Sequence, residues 1–379
     1  MAKSGLWMHG LASPATDHIK ILADNGFEYV VADGSQQTVA ACADNGLSLY
    51  LCSGAFGKGS HPDEFLSLDV NGDRQIWFGS TCPNQPLVRE NNLEGIARMA
   101  ETEGISGVYI DGCRFASPSS GLEPFFTCFC PLCEAKANEM SFDFAAMKRD
   151  VSDLYRMIRG SGTEFSPAKL GRTPSILLTY LIDHPGILDW FRFREACTTD
   201  HLRKVRHAIK GVNPDLVFAI YIFTPTLAPL VGQNYSALSK GVVDLFSPMI
   251  YRNFPPPDGP ACLNREIFDM AGWFSEKEDT VMEMLCGLFG VPLSPRQRLE
   301  DYGLPPETVG DETSRARAQI GQKTPLVPIL YLDDPHIESS IEAAVNGGAD
   351  GVSFFVYQED RQSLAIRAGE SWQQLRGLS

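Results

Sequence analysis

The sequence predicts a (β/α)8 TIM barrel of the α/β class, formed as a single domain over residues 1–379. Short apolar, β-branched runs alternate with longer helical stretches, which is typical of a parallel sheet with crossover helices. The irregular segments 53–90, 112–133 and 252–262 all follow predicted strands, and barrels carry their functional loops at that end. A Rossmann sheet is the competing prediction. No Gly-x-Gly-x-x-Gly turn follows either of the first two strands, so the barrel is favoured.

Eight apolar runs are predicted as strands: Leu6–His9, Tyr29–Ala32, Ser48–Cys52, Val108–Asp111, Val217–Ile222, Leu245–Tyr251, Leu326–Leu332 and Gly351–Tyr357. The helical stretches between and after them are 15–25, 35–45, 90–103, 134–159, 175–210, 264–288, 311–321, 336–347 and 360–376. Ser13-Pro14 and Asp334-Pro335 are helix start signals. The polar, Pro-rich segment 292–311 is predicted to be a long loop between two outer helices.

The bulk composition is that of a globular protein with a large core, at 44% hydrophobic and 21% charged residues. The net charge is −15, and no Lys/Arg cluster is present, which argues against nucleic-acid and membrane-surface partners. No run of about 18 apolar residues could span a bilayer. The N-terminus lacks the apolar region of a secretory signal. We therefore expect a cytoplasmic protein, with homo-oligomerisation left open.

Three of the ten cysteines, Cys128, Cys130 and Cys133, fall within six positions. Such spacing indicates a metal site, and tetrahedral zinc needs a fourth ligand, for which Cys82 is the candidate. Four thiolates close the coordination sphere, so the zinc would be structural. The competing interpretation is a set of free or oxidisable thiols. The six scattered cysteines are expected to be small buried hydrophobes: Cys42, Cys52, Cys113, Cys197, Cys262 and Cys286.

Two motifs carry a resemblance to a known family. Cys82-Pro-Asn-Gln-Pro86, with Arg89 after it, and Cys128-Phe-Cys-Pro-Leu-Cys133 resemble the zinc-binding motifs of glycoside hydrolase family 42, the β-galactosidases. The segment Pro185–Arg194 is similar to the helix before strand 5 in related barrels. The resemblance covers roughly residues 75–215. It implies a barrel that cleaves glycosidic bonds, with a structural zinc tying together the loops after strands 3 and 4.

The end of strand 4 departs from that family, which has an Asn-Glu pair there. Here it reads Ile110-Asp111-Gly112-Cys113-Arg114, which resembles the uncharacterised glycosidase-like barrels. The segment Val243–Tyr251 is similar to strand 6 of the same barrels. The chain therefore combines features of two kinds of glycosidase barrel.

Glycoside hydrolysis usually requires two carboxyl groups, which a barrel places at the C-terminal ends of its strands. Asp111 meets this condition at strand 4, although a turn aspartate would look the same. Asp333 after strand 7 and Glu359 after strand 8 are the candidates for the second carboxyl. Glu359 could instead be a first-turn acid that complements a helix dipole. Asp334 precedes Pro335 and is expected to cap the next helix.

Further residues near strand ends are predicted to contact a carbohydrate substrate, with core filling or structural pairing as the competing interpretation. They are Trp7, His9, Asp33, Arg114, Tyr221, Tyr251, Arg252 and Tyr357. Aromatic rings near the top of a barrel suggest a binding floor, because barrel interiors are usually aliphatic.

The leading hypothesis is thus a glycosidase that acts on an oligosaccharide or small glycoside. One alternative is a sugar or sugar-acid lyase or isomerase, with Asp111 as the base. Another is a carbohydrate-binding barrel without catalysis. The sequence contains no G-x-S-x-G, Walker A or His-Glu-x-x-His motif. A nucleophilic Cys113 is disfavoured because the nearby Asp111 carboxylate would raise the pKa of its thiol.

Overall fold

Eight parallel strands close into a barrel in which each strand pairs with the barrel strands before and after it in the chain, and the first pairs with the last. The computed structural model describes residues 5–11, 16–161, 173, 175–253, 263–274, 277–292 and 296–377. The prediction of eight strands is confirmed. Their bounds are β1 Leu6–Leu11, β2 Phe27–Ala32, β3 Ser48–Gly54, β4 Ile105–Asp111, β5 Val217–Phe223, β6 Leu245–Met249, β7 Ile329–Tyr331 and β8 Val352–Phe355. A short hairpin, Ser67–Leu68 with Arg74–Gln75, lies in the segment after β3.

Side chains alternate between the barrel interior and the outer helix layer along each strand, as the period of two requires. On β4, Tyr109 packs inside with Trp7 and Tyr50, whereas Val108 and Ile110 pack outward against the helices. Gly107 precedes Tyr109 by two residues on the same face of β4. It leaves room for the Tyr50 ring, because an added Cβ would lie 2.4 Å from that ring. The same alternation points Asp111 into the barrel mouth.

Helices surround the barrel, and the following helices of at least seven residues are described. They are Thr16–Asp24, Gln36–Asp44, Pro86–Ala100, Pro131–Glu139, Phe144–Arg156, Ser175–Asp183, Pro185–Val212, Leu263–Ala271, Glu278–Phe289, Arg296–Tyr302, Glu307–Ile320, Ile337–Asn346 and Gln362–Leu375. Short helical turns are Asp63–Phe65, Pro118–Ser120, Leu122–Phe125, Met157–Ser161, Ala228–Val231, Tyr235–Leu238 and Glu359–Arg361.

Three predicted helices are each two helices in the structure. The first breaks before Phe144, where the Asp143 side chain accepts a hydrogen bond from the Ala146 N–H and starts a new helix. The second breaks at Pro185, which occupies the first turn of the long helix Pro185–Val212. The third breaks between Ala271 and Glu278. In the first two cases a local start signal outweighs the continuous apolar pattern.

The prediction of one long loop over 292–311 is wrong. Helix Arg296–Tyr302 and the start of helix Glu307–Ile320 occupy most of it. Leu299, Leu304 and Val309 are buried in the core, so the apolar residues of this segment pack and stabilise helices despite its prolines. The start signal Ser13-Pro14 lies outside the described residues.

A separate hydrophobic cluster lies beneath the loops after β3 and β4. It joins the four clustered cysteines to Phe126, Trp190 and Phe193. The long helix Pro185–Val212 supplies Trp190 and Phe193, so this helix anchors the loops that border the barrel mouth. Within the described part of the chain, no helix is long and apolar enough to cross a membrane.

Candidate active site and cysteine cluster

Asp111 ends β4 and lies at the bottom of the barrel mouth. Its Oδ1 accepts a hydrogen bond from the Gly112 N–H at 2.7 Å. Burial raises the pKa of the Asp111 carboxyl, while the Gly112 hydrogen bond and the Arg114 cation oppose that rise. The side chain keeps partial access to solvent. Asp111 is therefore a reachable carboxyl group that holds its proton to higher pH than an ordinary aspartate.

Arg114 is a buried cation between two carboxylates. Burial lowers the pKa of Arg114, and the charges of Glu266 and Asp111 both raise it. Its guanidinium carbon lies 4.8 Å from the ring centre of Trp77 and 4.6 Å from that of Phe223. This setting fixes the cation beside Asp111 through aromatic packing as well as charge.

Glu266, on helix Leu263–Ala271, fastens the loop after β4 to the wall of the mouth. It accepts hydrogen bonds from the Ser119 N–H at 2.7 Å and the Ser119 hydroxyl at 2.8 Å. Glu266 has no exposed surface. It therefore positions Arg114 by charge without reaching a substrate.

Below Asp111, a layer of polar side chains fills the barrel. The Tyr109 hydroxyl and Ser247 Oγ lie 3.0 Å apart, and His9 Nδ1 contacts the Tyr221 hydroxyl. The rings of Tyr109 and Tyr221 stack with their centres 4.4 Å apart. Burial lowers the pKa of His9 to about 3, so its imidazole is neutral at pH 7. His9 and Tyr221, both predicted as substrate contacts, are thus brought together under Asp111.

Cys52 on β3 is exposed, which corrects the prediction that it is a buried hydrophobe. It points into the barrel interior. Desolvation by the surrounding protein raises the pKa of its thiol, and the negative charge of Asp111 raises it further. Cys42, Cys113, Cys197 and Cys286 are buried, as predicted, whereas Cys262 lies outside the described residues. Burial raises the pKa of Cys113 to about 12, which makes it a poor nucleophile.

The two adjacent carboxylates after β7 have different surroundings. Asp333 is exposed and forms an ion pair with Arg361 at 3.3 Å. Asp334 is buried, accepts a hydrogen bond from Nε of Arg252 at 2.7 Å, and also accepts one from the His336 N–H at 2.9 Å. Arg252, predicted as a substrate contact, thus has its guanidinium bound to Asp334 inside the wall, which favours the competing interpretation of structural pairing. The side chain of Glu359 lies outside the described residues.

The remaining predicted contacts lie around or below the mouth. Trp7 has no exposed surface and stacks on Tyr29 with ring centres 4.1 Å apart, so it is a core residue beneath the polar layer. Tyr251 is buried, and its ring stacks on that of Tyr331 with the ring centres 4.3 Å apart.

Two predicted contacts lie toward the outer helix layer. Tyr357 packs there and contacts the His18 ring, with ring centres 5.5 Å apart. Asp33 accepts hydrogen bonds from Ser35 and Thr38 at the start of helix Gln36–Asp44.

The four cysteines Cys82, Cys128, Cys130 and Cys133 meet in one buried cluster, with all sulfur atoms within 4.8 Å of one another. Cys82 Sγ lies 3.6 Å from Cys130 Sγ and 3.5 Å from Cys133 Sγ. None of these cysteines forms a disulfide. A tetrahedron with metal–sulfur bonds of about 2.3 Å has edges of about 3.8 Å. The cluster can therefore hold a metal ion.

Groups around the cluster complement negative thiolates. Leu68 N–H points at Cys128 Sγ and Asn84 Nδ2 at Cys133 Sγ, at 3.4 and 3.3 Å. The buried Arg194 guanidinium lies 3.8 Å from the ring centre of Trp190. Burial lowers the pKa of Arg194, and the charges of Cys128 and Cys133 oppose that lowering. Such donors orient and stabilise metal ligands.

Arg89 holds in place the loop that carries Cys82. It donates hydrogen bonds to the carbonyls of Pro83 at 2.7 Å and Cys197 at 2.6 Å, and to Asp200 at 2.9 Å. These contacts join the loop after β3 to the long helix Pro185–Val212.

Tyr109, Ser247, Cys52 and Glu266 belong to the site but were not predicted. The alternation on β4 contained a usable signal for Tyr109, since Asp111 and Tyr109 are two positions apart and share the inner face. By the same alternation, Cys52 on β3 and Ser247 on β6 lie on the inner face, two positions after the interior residues Tyr50 and Leu245. Glu266 could not be found this way, because its role depends on a distant partner, Ser119.

No protein-family model matches the chain, and no curated protein matches it at the sequence level. Its fold is similar to solved glycoside hydrolases. The PgaB (BpsB) glycoside hydrolase domain from Bordetella bronchiseptica superposes with a TM-score of 0.57 at 12% identity, covering 99% of both chains. The catalytic domain of a β-amylase from Paenibacillus polymyxa gives 0.55 at 12% identity, covering 98% of this chain and 100% of that one.

A GH42 β-galactosidase from G. stearothermophilus, solved as a catalytic mutant, gives a TM-score of 0.57 at 13% identity. The alignment covers 98% of this chain and 57% of the galactosidase, so the chain spans little more than half of that protein. At these identities the likeness shows the fold alone, a closed eight-stranded barrel with surrounding helices.

Proposed function

We propose that the protein is a glycoside hydrolase that cleaves an oligosaccharide or small glycoside at the C-terminal mouth of the barrel. The observation that carries the proposal is Asp111, a reachable carboxyl at the end of β4 whose pKa is raised by its surroundings. The likeness to glycosidase barrels supports the same conclusion. A general acid works best when its pKa lies near the working pH, and burial raises the pKa of Asp111 in that direction.

In this proposal Asp111 donates its proton to the glycosidic oxygen as the bond breaks. Arg114 holds a positive charge beside Asp111, and this charge stabilises the carboxylate that Asp111 becomes after it has donated its proton. Tyr221 and His9 form the polar floor below, where sugar hydroxyl groups would lie. The rings of Trp77 and Phe223 around Arg114 limit the access of water to the reacting bond. Exclusion of water strengthens the interaction between Arg114 and the Asp111 carboxylate.

Asp333 is our candidate for the second carboxyl group. It follows β7, is exposed to solvent, and pairs with Arg361 at 3.3 Å. It would act as nucleophile if the two carboxyls lie about 5–5.5 Å apart, or as base toward water if they lie about 6.5–9.5 Å apart. Glu359 after β8 stays the alternative for this role.

We further propose that the cysteine cluster holds a structural Zn²⁺. Four thiolates suit zinc, and the closed tetrahedral set leaves no position for substrate. Cys82 comes from the loop after β3 and the other three cysteines from the loop after β4. The ion would therefore tie the two loops that border Asp111, and it would take no part in the chemistry.

A screen of aryl glycosides and natural oligosaccharides tests the proposed activity, with products separated and identified. Release of a free sugar supports hydrolysis. Elimination or isomerisation products without hydrolysis would replace the proposal with the lyase or isomerase alternative. Saturable sugar binding with no turnover of any compound would indicate a non-catalytic carbohydrate-binding barrel.

A further inference from the structure

A tight turn at the mouth of the barrel carries an aromatic residue where one is rarely tolerated. In the turn Trp77–Ser80, the Ser80 N–H donates to the Trp77 carbonyl at 2.8 Å. Both central residues have positive φ, +46° at Phe78 and +61° at Gly79. Two positive φ values define a type I′ turn, whose first central position favours asparagine, aspartate or glycine. Phe78 occupies that position.

The strain at Phe78 is not offset by burial of its side chain. A bulky residue at positive φ is a conformational outlier, because its Cβ crowds the backbone. The side chain is 68% exposed, so its ring adds little to the core. The turn is also held firmly in place, since the Lys58 N–H donates to the Gly79 carbonyl at 2.7 Å. A strained, exposed ring on a fixed loop suggests a role in binding.

Phe78 borders the group of rings that surrounds Arg114. The Arg114 guanidinium carbon lies 5.7 Å from the Phe78 ring centre. The same guanidinium also contacts the rings of Trp77 and Phe223. Arg114 in turn interacts with the charge of Asp111. Among the described residues, Arg114 has one hydrogen bond, from Nη1 to the Phe115 carbonyl at 3.1 Å. It therefore retains donors for a sugar hydroxyl.

From these contacts we propose that Phe78 is the stacking platform of a sugar subsite adjoining Asp111, with Arg114 as the hydrogen-bond donor at its edge. The ligand class is a neutral pyranose within a glycoside or oligosaccharide. The C–H face of such a ring packs on the electron-rich face of an aromatic side chain. The inference rests on the proposed function and adds a specificity-determining residue to it.

The turn geometry provides a variant that separates binding from folding. Phe78→Asn suits the type I′ position, so it should raise the melting temperature while removing the platform. Phe78→Trp keeps an aromatic face. Leu288→Ala removes an exposed apolar side chain on helix Glu278–Phe289 and serves as the control. If Phe78 were only a packing residue, Phe78→Asn would lower the melting temperature.

Binding is measured by calorimetry with cellotetraose, maltotetraose and β-1,4-galactotetraose, each variant being combined with Asp111→Asn to prevent turnover. We expect Phe78→Asn to weaken binding of the preferred tetrasaccharide about tenfold, the effect of losing one ring contact. Phe78→Trp and Leu288→Ala should bind as the parent does. Unchanged binding in Phe78→Asn, or a lower melting temperature, would overturn the subsite alone. Failure of the parent to bind any of the sugars would count against the proposed function itself.

Discussion

Arg252 and Asp334 form a buried ion pair that joins the segment after β6 to the loop after β7. Nε of Arg252 lies 2.7 Å from Oδ2 of Asp334, and Nη2 contacts Oδ1. Both side chains are 2% exposed. Arg252 also donates to the Leu304 carbonyl at 2.6 Å. The neighbouring Asp333 faces solvent, so two adjacent carboxylates divide between a structural role and a candidate catalytic role.

Replacing Asp334 should mainly reduce stability, whereas replacing Asp333 should mainly reduce turnover. Asp334→Asn leaves a buried guanidinium without its counter-charge and should lower the free energy of unfolding by about 3–5 kcal/mol. Asp333→Asn should leave stability within about 0.5 kcal/mol and reduce turnover instead. Urea denaturation and initial-rate assays of both variants check this. An equal loss of stability in the two would show that the structural assignment is wrong.

Arg114 should control the pH range in which Asp111 acts as an acid. Its cation lowers the pKa of the Asp111 carboxyl, so Arg114→Met should raise that pKa further. A general acid works below its pKa, and activity falls as pH rises through it. The basic limb of kcat/KM should therefore move to higher pH in Arg114→Met and stay in place in Arg367→Met, which removes an arginine paired with Glu338. A shift to lower pH would contradict the assignment of Asp111 as acid.

The cysteine cluster should bind one zinc ion for each chain. Cys82→Ser removes one of four ligands, so metal analysis should show a large loss of zinc, accompanied by a lower melting temperature. Cys42→Ser, which alters a buried cysteine outside the cluster, should retain the zinc. Full zinc content in Cys82→Ser would exclude this residue as a ligand. The absence of zinc from the purified parent protein would remove the site altogether.

Cys52 should be modified slowly and should report on the mouth of the barrel. Its side chain is exposed, but its surroundings and Asp111 raise the pKa of the thiol, so little thiolate forms at pH 8. We expect iodoacetamide to label Cys52 more slowly than free cysteine and faster than the buried Cys42, as mapped by mass spectrometry. A bound oligosaccharide should slow the labelling. Equal rates at Cys52 and Cys42 would place Cys52 outside the mouth.

The strand rhythm predicted the barrel because each strand is a short apolar run between helical segments. The spacing of Cys128, Cys130 and Cys133 predicted a metal site. Cys82 was added because its loop follows the neighbouring strand, and loops after neighbouring strands meet at one rim. These features depend on local patterns, which the sequence contains directly.

The roles of other residues depend on partners distant in the chain. Arg252 follows the sixth strand and was predicted to contact substrate, but it pairs with a carboxylate 82 positions later. Glu266 was not singled out because Ser119, its partner, precedes it by 147 positions. The apolar residues of 292–311 were set aside because prolines surround them, yet burial of Leu299 and Leu304 stabilises helical structure there. Tertiary packing decides such cases.

The most direct test of the account is the turnover of Asp111→Asn on the glycoside that the screen identifies. Amide and carboxyl have nearly the same shape, so this variant should fold and melt as the parent does. Its kcat should fall at least about 100-fold, because the proton donor is lost. An aryl glycoside with a good leaving group needs less proton donation and should lose less activity. Unchanged kcat on the natural oligosaccharide, in a variant with normal stability, would contradict the central role of Asp111.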